Sequence, residues 1–355
     1  MHAGYLWFCG LDFNSSIPDR TTLVRLRKQW RQAGMFELIF TQVVRQCIEA
    51  GLVKGDILAV DGTAVKARAA INSLEEILNP IPLKDYLARL AATDGAEPPD
   101  DPKPPRRGGD PDFRGERFGN ETHRSITDPE ARLFRKGKGQ ETKLSYLAHN
   151  LIDVKSRVII DALATPAKGS LEREAALAML KNVMPLLPPS GKRVVLADGN
   201  YTAAEFLACL MELGCKPLVP LEAKLEPILA WKTRTRFINT YRNRQGRVRL
   251  IKARNGAKLL ATSREYRLTY RYRIRIEHIF AEAKEHHGLG RARSYGLSCM
   301  HEQVIMTAAV QNMKRLATYA WRRGKQAARA LALTLPSLAR PLATYFQCLY
   351  PGLAW

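Results

Sequence analysis

Apolar positions change period along this chain, and the changes mark out its elements. Between residues 19 and 50 they recur at helical spacing, which predicts two amphipathic helices. Asp19 can cap the first, and Gly34 and Gly51 punctuate the ends. Ile57-Leu58-Ala59-Val60 is an unbroken apolar run that stops at Asp61, the pattern of a short buried strand ending in an acid. Residues 72–92 read as helical. Strand patterns resume at 144–152 and 157–163, joined by a turn at 153–156, and a helix follows over 172–184. Arg193-Val194-Val195-Leu196-Ala197 is a second apolar strand closing on Asp198. Thr202 is placed to cap a helix at 203–213, and 216–220 supplies another strand. Helices are predicted over 269–288 and 300–334. The order strand, long insert, hairpin, helix, strand, helix, strand predicts an α/β fold, a mixed sheet with helices on its faces.

Two stretches break the pattern. Residues 94–119 turn rich in Pro, Gly and charge, a composition that cannot bury a core and predicts a disordered linker or surface loop. Residues 221–266 are dense in Arg and Lys and only weakly periodic, which predicts a basic insert. Its Trp231, Phe237, Tyr241 and Tyr266 suit either stacking on unpaired bases or ordinary packing.

Charge narrows the partners. The chain has 355 residues, with 56 Lys+Arg against 34 Asp+Glu and a formal net charge of +22. The excess is spread along the length, and such a field attracts polyanions, nucleic acid first. On the first helix, Arg20, Arg25, Arg27, Lys28 and Arg31 suit a solvated face as well as a DNA-contacting one. The six cysteines form no C-x-x-C pair, which fits reduced thiols in a cytoplasmic protein. Cys209 and Cys215 read as core residues. The apolar segments are too short or too interrupted by charge for a membrane span.

The candidate chemistry lies in acids. In a helix over 269–288, Tyr270, Arg273, Glu277 and Lys284 project onto one narrow arc, beside a buried stripe of Ile276, Ile279, Phe280 and Ala283. One helix thereby aims a carboxylate, two cations and a phenol at a common target, although a surface helix with incidental ion pairs has the same pattern. Asp61 and Asp198 each end an apolar strand and precede Gly, so both can face the crevice at a sheet's end, while a strand-end Asp is also a common turn cap. Three converging carboxylates repel one another and call for a hard divalent cation, Mg²⁺ or Mn²⁺. Two such ions form a phosphoryl-transfer clamp that needs no protein nucleophile. No Ser–His or Cys–His arrangement is recognisable.

The segments Val60-Asp61-Gly62-Thr63-Ala64-Val65-Lys66-Ala67 and Leu196-Ala197-Asp198-Gly199-Asn200-Tyr201, with the Tyr270/Arg273/Glu277/Lys284 spacing, resemble the DDE transposases of bacterial insertion sequences. The spacing matches that family's Y-(2)-R-(3)-E-(6)-K signature at every position. Asp128-Pro129-Glu130-Ala131-Arg132 is similar to the segment leading into the family's second strand, and the region from Tyr5 to Val24 to its N-terminal helical region. The resemblance implies an RNase H-like fold, with inserts before the second strand and before the helix bearing the Glu. It implies metal-dependent cutting of DNA at the element's inverted-repeat ends, then joining of the freed 3′-hydroxyl to target DNA. Asp61, Asp198 and Glu277 become the catalytic metal ligands. Tyr270, Arg273 and Lys284 become DNA contacts that Arg291 and Arg293 extend, and Asn200 and Tyr201 support the site. A homodimer pairing two DNA ends is the working form that the resemblance implies, nucleoid-associated when DNA-bound.

The expected organisation is a helical DNA-binding region at 1–55, a catalytic domain formed by 56–93 and 120–300, and a helical C-terminal region at 301–355. Two other readings stay open. One is an element-derived DNA-binding protein without catalysis, which the short N-terminus favours and the intact acid triad opposes. The other is an RNase H-like nuclease that lacks the joining step. His286-His287 fits an exposed helix-end cap or phosphate contact better than a metal site.

Overall fold

The computed structural model describes residues 10, 12, 19–77, 119–135, 137, 139–222, 224–225 and 240–334. Residues 78–118, 226–239 and 335–355 lie outside the described residues. With them go most of the helix expected at 72–92, nearly all of the Pro-rich stretch, Trp231 and Phe237.

Helices α1 (Arg20–Gln32) and α2 (Met35–Glu49) form as the periodicity predicts. Asp19 accepts from the Thr21 backbone N–H at 3.1 Å, and Gly34 turns the chain between the helices at φ 66°. Helix α2 buries Phe36, Phe40, Val43, Val44 and Cys47, whereas α1 buries none of its residues. What ties α1 down is charge. Arg27 and Arg31 both pair with Glu302, whose side chain is 1% exposed. Those two arginines are therefore engaged within the protein, and Arg20, Arg25 and Lys28 carry the helix's remaining charge.

The main sheet is built on β1 (Ile57–Lys66). It pairs antiparallel with β5 (Lys143–Asp153), from Leu58 opposite Asp153 to Lys66 opposite Ser145. Strand β6 (Ile159–Pro166) and the short β4 (Arg132–Phe134) share the far edge of β5. On the other side β1 runs parallel to β7 (Arg193–Leu196), which runs parallel to β8 (Cys215–Leu218). The six-stranded sheet thus has three long antiparallel strands, the short antiparallel β4 and two short parallel strands. With helices against it, this is the RNase H-like form expected from the sequence. Strands β2 (Leu74–Glu76) and β3 (His123–Ser125) make a separate ribbon, so residues 74–76 of the expected 72–92 helix are extended, after a 3-10 turn at Ile71–Ser73.

Helix α3 (Gly169–Val183) packs on β6, β5 and β1. Helix α4 (Ala204–Glu212) lies against β8 and against α5 (Thr240–Thr262). Thr202 does not cap α4: its hydroxyl donates back to the Gly199 carbonyl at 2.9 Å, and Ala203 holds the cap position. The stretch expected to be weakly periodic instead contains α5, because Arg, Lys and Leu are good helix formers even without an amphipathic stripe. Helix α8 (Leu297–Thr334) crosses β6 and packs on α2.

Candidate active site

Asp61 does not end its strand. It sits in the middle of β1, paired with Asn150 on β5. A strand this long is stabilised by the full ladder to β5, so the polar residue leaves the run of pairing intact. Gly62 accordingly makes no turn. It permits close packing: a Cβ there would stand 2.9 Å from Nδ1 of the fully buried His149. The Gly62 N–H donates to Asp61 Oδ1 at 2.8 Å.

Asp198 follows β7 directly and caps the 3-10 turn Gly199–Tyr201, accepting from the Asn200 N–H at 2.9 Å. Parallel pairing of β7 with β1 is what delivers Asp198 beside Asp61. Glu277 comes from α7 (Ile274–His286), whose apolar face Ile276, Ile279, Phe280 and Ala283 is buried as predicted. That helix is shorter than expected. Residues 264–269 form α6 (Arg264–Thr269), and Tyr270–Arg273 is a 3-10 turn. Tyr270 therefore lies off the arc drawn for a single continuous helix, because a 3-10 turn winds more tightly. Its ring stacks on Tyr266 at 4.7 Å, which gives Tyr266 a packing role. Its hydroxyl donates to the Ala197 carbonyl, next to Asp198, at 3.3 Å.

Arg273 sits at the centre. One guanidinium nitrogen is 3.0 Å from Asp61 Oδ2 and the other pairs with Glu277 Oε1. Burial, with Asp198 and Glu277 adding repulsion, raises the Asp61 carboxyl to about 6 against the opposing Gly62 N–H and Arg273. Asp198 and Glu277 thus both bear on Asp61, and Arg273 bridges Asp61 and Glu277. Among the described residues, however, no three His, Cys, Asp or Glu side chains are gathered closely enough to hold a metal ion. The Arg273 cation stands between two of the carboxylates and answers their charge. By donor type the three acids suit a hard cation: they offer carboxylate oxygens, with no thiol or imidazole among them.

Lys284 donates to Thr63 Oγ1 at 2.7 Å and so lies along β1 two residues beyond Asp61. Arg291 and Arg293 are exposed on the segment that runs past the end of β1, where the Ala292 N–H bonds the Lys66 carbonyl. Asn200 is exposed, and Tyr201 is buried at 1% exposure. His286 is exposed and His287 ends the helix near Glu282, away from a ligand role. Cys215 is buried, and Cys209 only partly.

The pattern of the sequence does not single out Thr63 or Glu172. Glu172 enters from the first turn of α3, and burial together with Asp198 and Asp61 raises its carboxyl above the ordinary range. An acid in the first turn of a helix ordinarily reads as a partner of the helix dipole, so its spacing gave no signal. Beside the Asp198 turn opens a cavity of about 460 Å³ lined by Gly199, Thr202, Lys224, Arg254 and Lys258.

The family model described as Transposase DDE domain matches residues 54–313. No curated protein and no solved structure gives a match. The matched span is well over half of the chain and contains Asp61, Asp198 and Glu277, and on that ground the chain belongs to the DDE transposase family.

Proposed function

We propose that this chain is the transposase of a bacterial insertion sequence, cutting DNA at the element's ends and joining the freed 3′-hydroxyl to target DNA. Family membership supports nucleotidyl transfer on DNA, with divalent ions as the family typically uses them. The observation that carries the finer reading is that Arg273 bridges Asp61 and Glu277 while the β1–β7 pairing brings Asp198 alongside.

Asp61, Asp198 and Glu277 are the residues to hold Mg²⁺ or Mn²⁺. When bound, a pair of such ions activates the attacking water or 3′-hydroxyl and stabilises the leaving oxygen. Asp61 Oδ2 and Glu277 Oε1 are engaged by Arg273, so these oxygens would hold a divalent ion only once the guanidinium had released them, and Arg273 would then be free to meet a phosphate. Tyr270, tethered to the Ala197 carbonyl, fixes the end of β7. Lys284 with Arg291 and Arg293 lines a phosphate track along β1. The exposed face of α1 and the basic helix α5 extend it, which makes the N-terminal helices a DNA-binding region, the mixed sheet the catalytic domain and the end of α8 a helical C-terminal region. A homodimer in the DNA complex would pair the two ends.

The test uses duplexes carrying the inverted repeats that flank the gene. Wild type is expected to nick them with Mg²⁺ and to join the product to a second duplex. Asp198→Asn should bind the same DNA with little change and lose cleavage by at least 10³-fold, on the order expected for removal of a group acting in the transition state. Retained cleavage in that variant would refute the assignment. Cleavage without joining would favour a nuclease.

A further inference from the structure

We propose that the loop at residues 128–131 is a clasp for the phosphate track: Asp128 and Glu130 are positioning residues that act on DNA through the segment bearing Arg291 and Arg293, without touching DNA themselves. The inference rests on the reading of Arg291 and Arg293 as DNA contacts.

The segment that joins α7 to α8 has few apolar anchors. Leu289 and Ala292 are buried, whereas Arg291, Arg293, Ser294 and Tyr295 are exposed. Hydrogen bonds hold it instead. On the side of β1, the Ala292 N–H donates to the Lys66 carbonyl at 2.8 Å, and Arg68 Nη1 donates to the Arg293 carbonyl at 2.8 Å. From α8, Gln303 Oε1 accepts from the Arg293 N–H at 2.9 Å, and Gln303 Nε2 donates to the Gly288 and Arg291 carbonyls. The far end of the segment meets the 128–131 loop. There the Gly296 N–H donates to Asp128 Oδ1 at 3.1 Å, and the Leu297 N–H donates to Glu130 Oε2 at 2.7 Å.

The loop is itself tied to the sheet. Asp128 is fully buried, its Oδ1 also accepts from the Tyr146 hydroxyl on β5, and its N–H donates to Ser125 Oγ at 3.1 Å. The Pro129 carbonyl accepts from Arg124 at 2.8 Å and from Arg132 at 2.6 Å. Gly296 sits at φ 87°, where a Cβ would stand 3.4 Å from Glu130 Oε2, so glycine allows both the turn and the close approach. Glu130 is exposed, so packing does not call for it. An acid beside a phosphate track opposes DNA by its charge, and what Glu130 can contribute is therefore geometry. The rival role is a plain cap on the first residue of α8. A cap alone lowers the melting temperature when removed and leaves the salt dependence of DNA binding where it was.

The experiment is fluorescence anisotropy of the full chain on a labelled duplex carrying the inverted repeat that flanks the gene, over a salt series without divalent ions, with melting temperatures alongside. We expect Glu130→Ala to weaken binding about threefold to tenfold and to flatten the salt slope by about one unit, as the loss of a phosphate contact does. Glu130→Gln, which keeps an oxygen for the Leu297 N–H and drops the charge, should bind at least as tightly as wild type. In an Arg291→Ala/Arg293→Ala background, Glu130→Ala should change affinity by less than about twofold, because the cations it positions are gone. Wild-type binding by Glu130→Ala, or an equal loss with and without the two arginines, would overturn this inference alone. Unchanged affinity and slope in Arg291→Ala/Arg293→Ala would overturn the phosphate-track reading, and the inference with it. Should Glu130→Ala fail to fold, Glu130→Asp decides in the same series, since it keeps the charge on a shorter arm: weaker binding with a flatter slope supports the clasp, and wild-type binding counts against it.

Discussion

A carboxylate drawn out of water keeps its charge only where something answers it. For Asp61 the answer is the Gly62 N–H and the Arg273 guanidinium. Asp161 on β6 has hydrogen bonds from the Ala162 N–H, at 2.8 Å, and from Asn182, but no cation, and burial raises it from 3.8 to about 6. Between those two values the folded protein binds a proton that the unfolded chain has released. Stability from this group therefore falls as pH rises through the window. Asp161→Asn keeps an oxygen for Ala162 and removes the charge. It is predicted to melt higher than wild type above pH 6, with the gap closing below pH 4. A melting series across that range checks the sign, and a gap independent of pH would contradict it. Residue identity was legible where an acid interrupted an apolar run, as at Asp61 and Asp198. The Thr63 contact was not legible, since it depends on how α7 brings Lys284 to β1.

At the scale of elements, the outer edge of β6 shows how strand and helix depend on each other. Its exposed backbone groups would invite another strand. Helix α8 covers them: Asn312 Oδ1 accepts from the Ile159 N–H at 2.8 Å, and Asn312 Nδ2 donates to the Ile159 carbonyl at 2.7 Å. Asn312 is fully buried, so Asn312→Ala strands two backbone groups away from water. The variant is predicted to lose about 1–3 kcal/mol in urea unfolding, with an unchanged slope. A loss under about 0.5 kcal/mol would mean that the edge finds other partners. Strand and helix identities along 143–218 follow the apolar period closely, because each such element buries a face. The break at Tyr270–Arg273 does not show in the period. The buried stripe begins only at Ile276, and a 3-10 turn ahead of it leaves that stripe unaltered. Helix α5 was hidden for the opposite reason, as it carries so many cations that no stripe stands out.

For the whole molecule, a net charge of +22 favours polyanions in general, and the RNase H-like sheet is what brings β1 and the end of β7 side by side. The sequence alone carried every strand of the sheet except the short β4, since those strands depend on short local patterns. It did not carry the Arg273 bridge, which needs β1 and the turn before α7 brought within 3.0 Å. The same bridge states the central claim in physical form: the oxygens that Arg273 holds are those meant for a divalent ion. Anomalous scattering from crystals of the full chain grown with Mn²⁺ tests this most directly. The account predicts a manganese peak in contact with the carboxylates of Asp61 and Asp198, with Arg273 withdrawn from Asp61. Manganese bound only elsewhere, with the Arg273 pair to Asp61 and Glu277 intact, would contradict it.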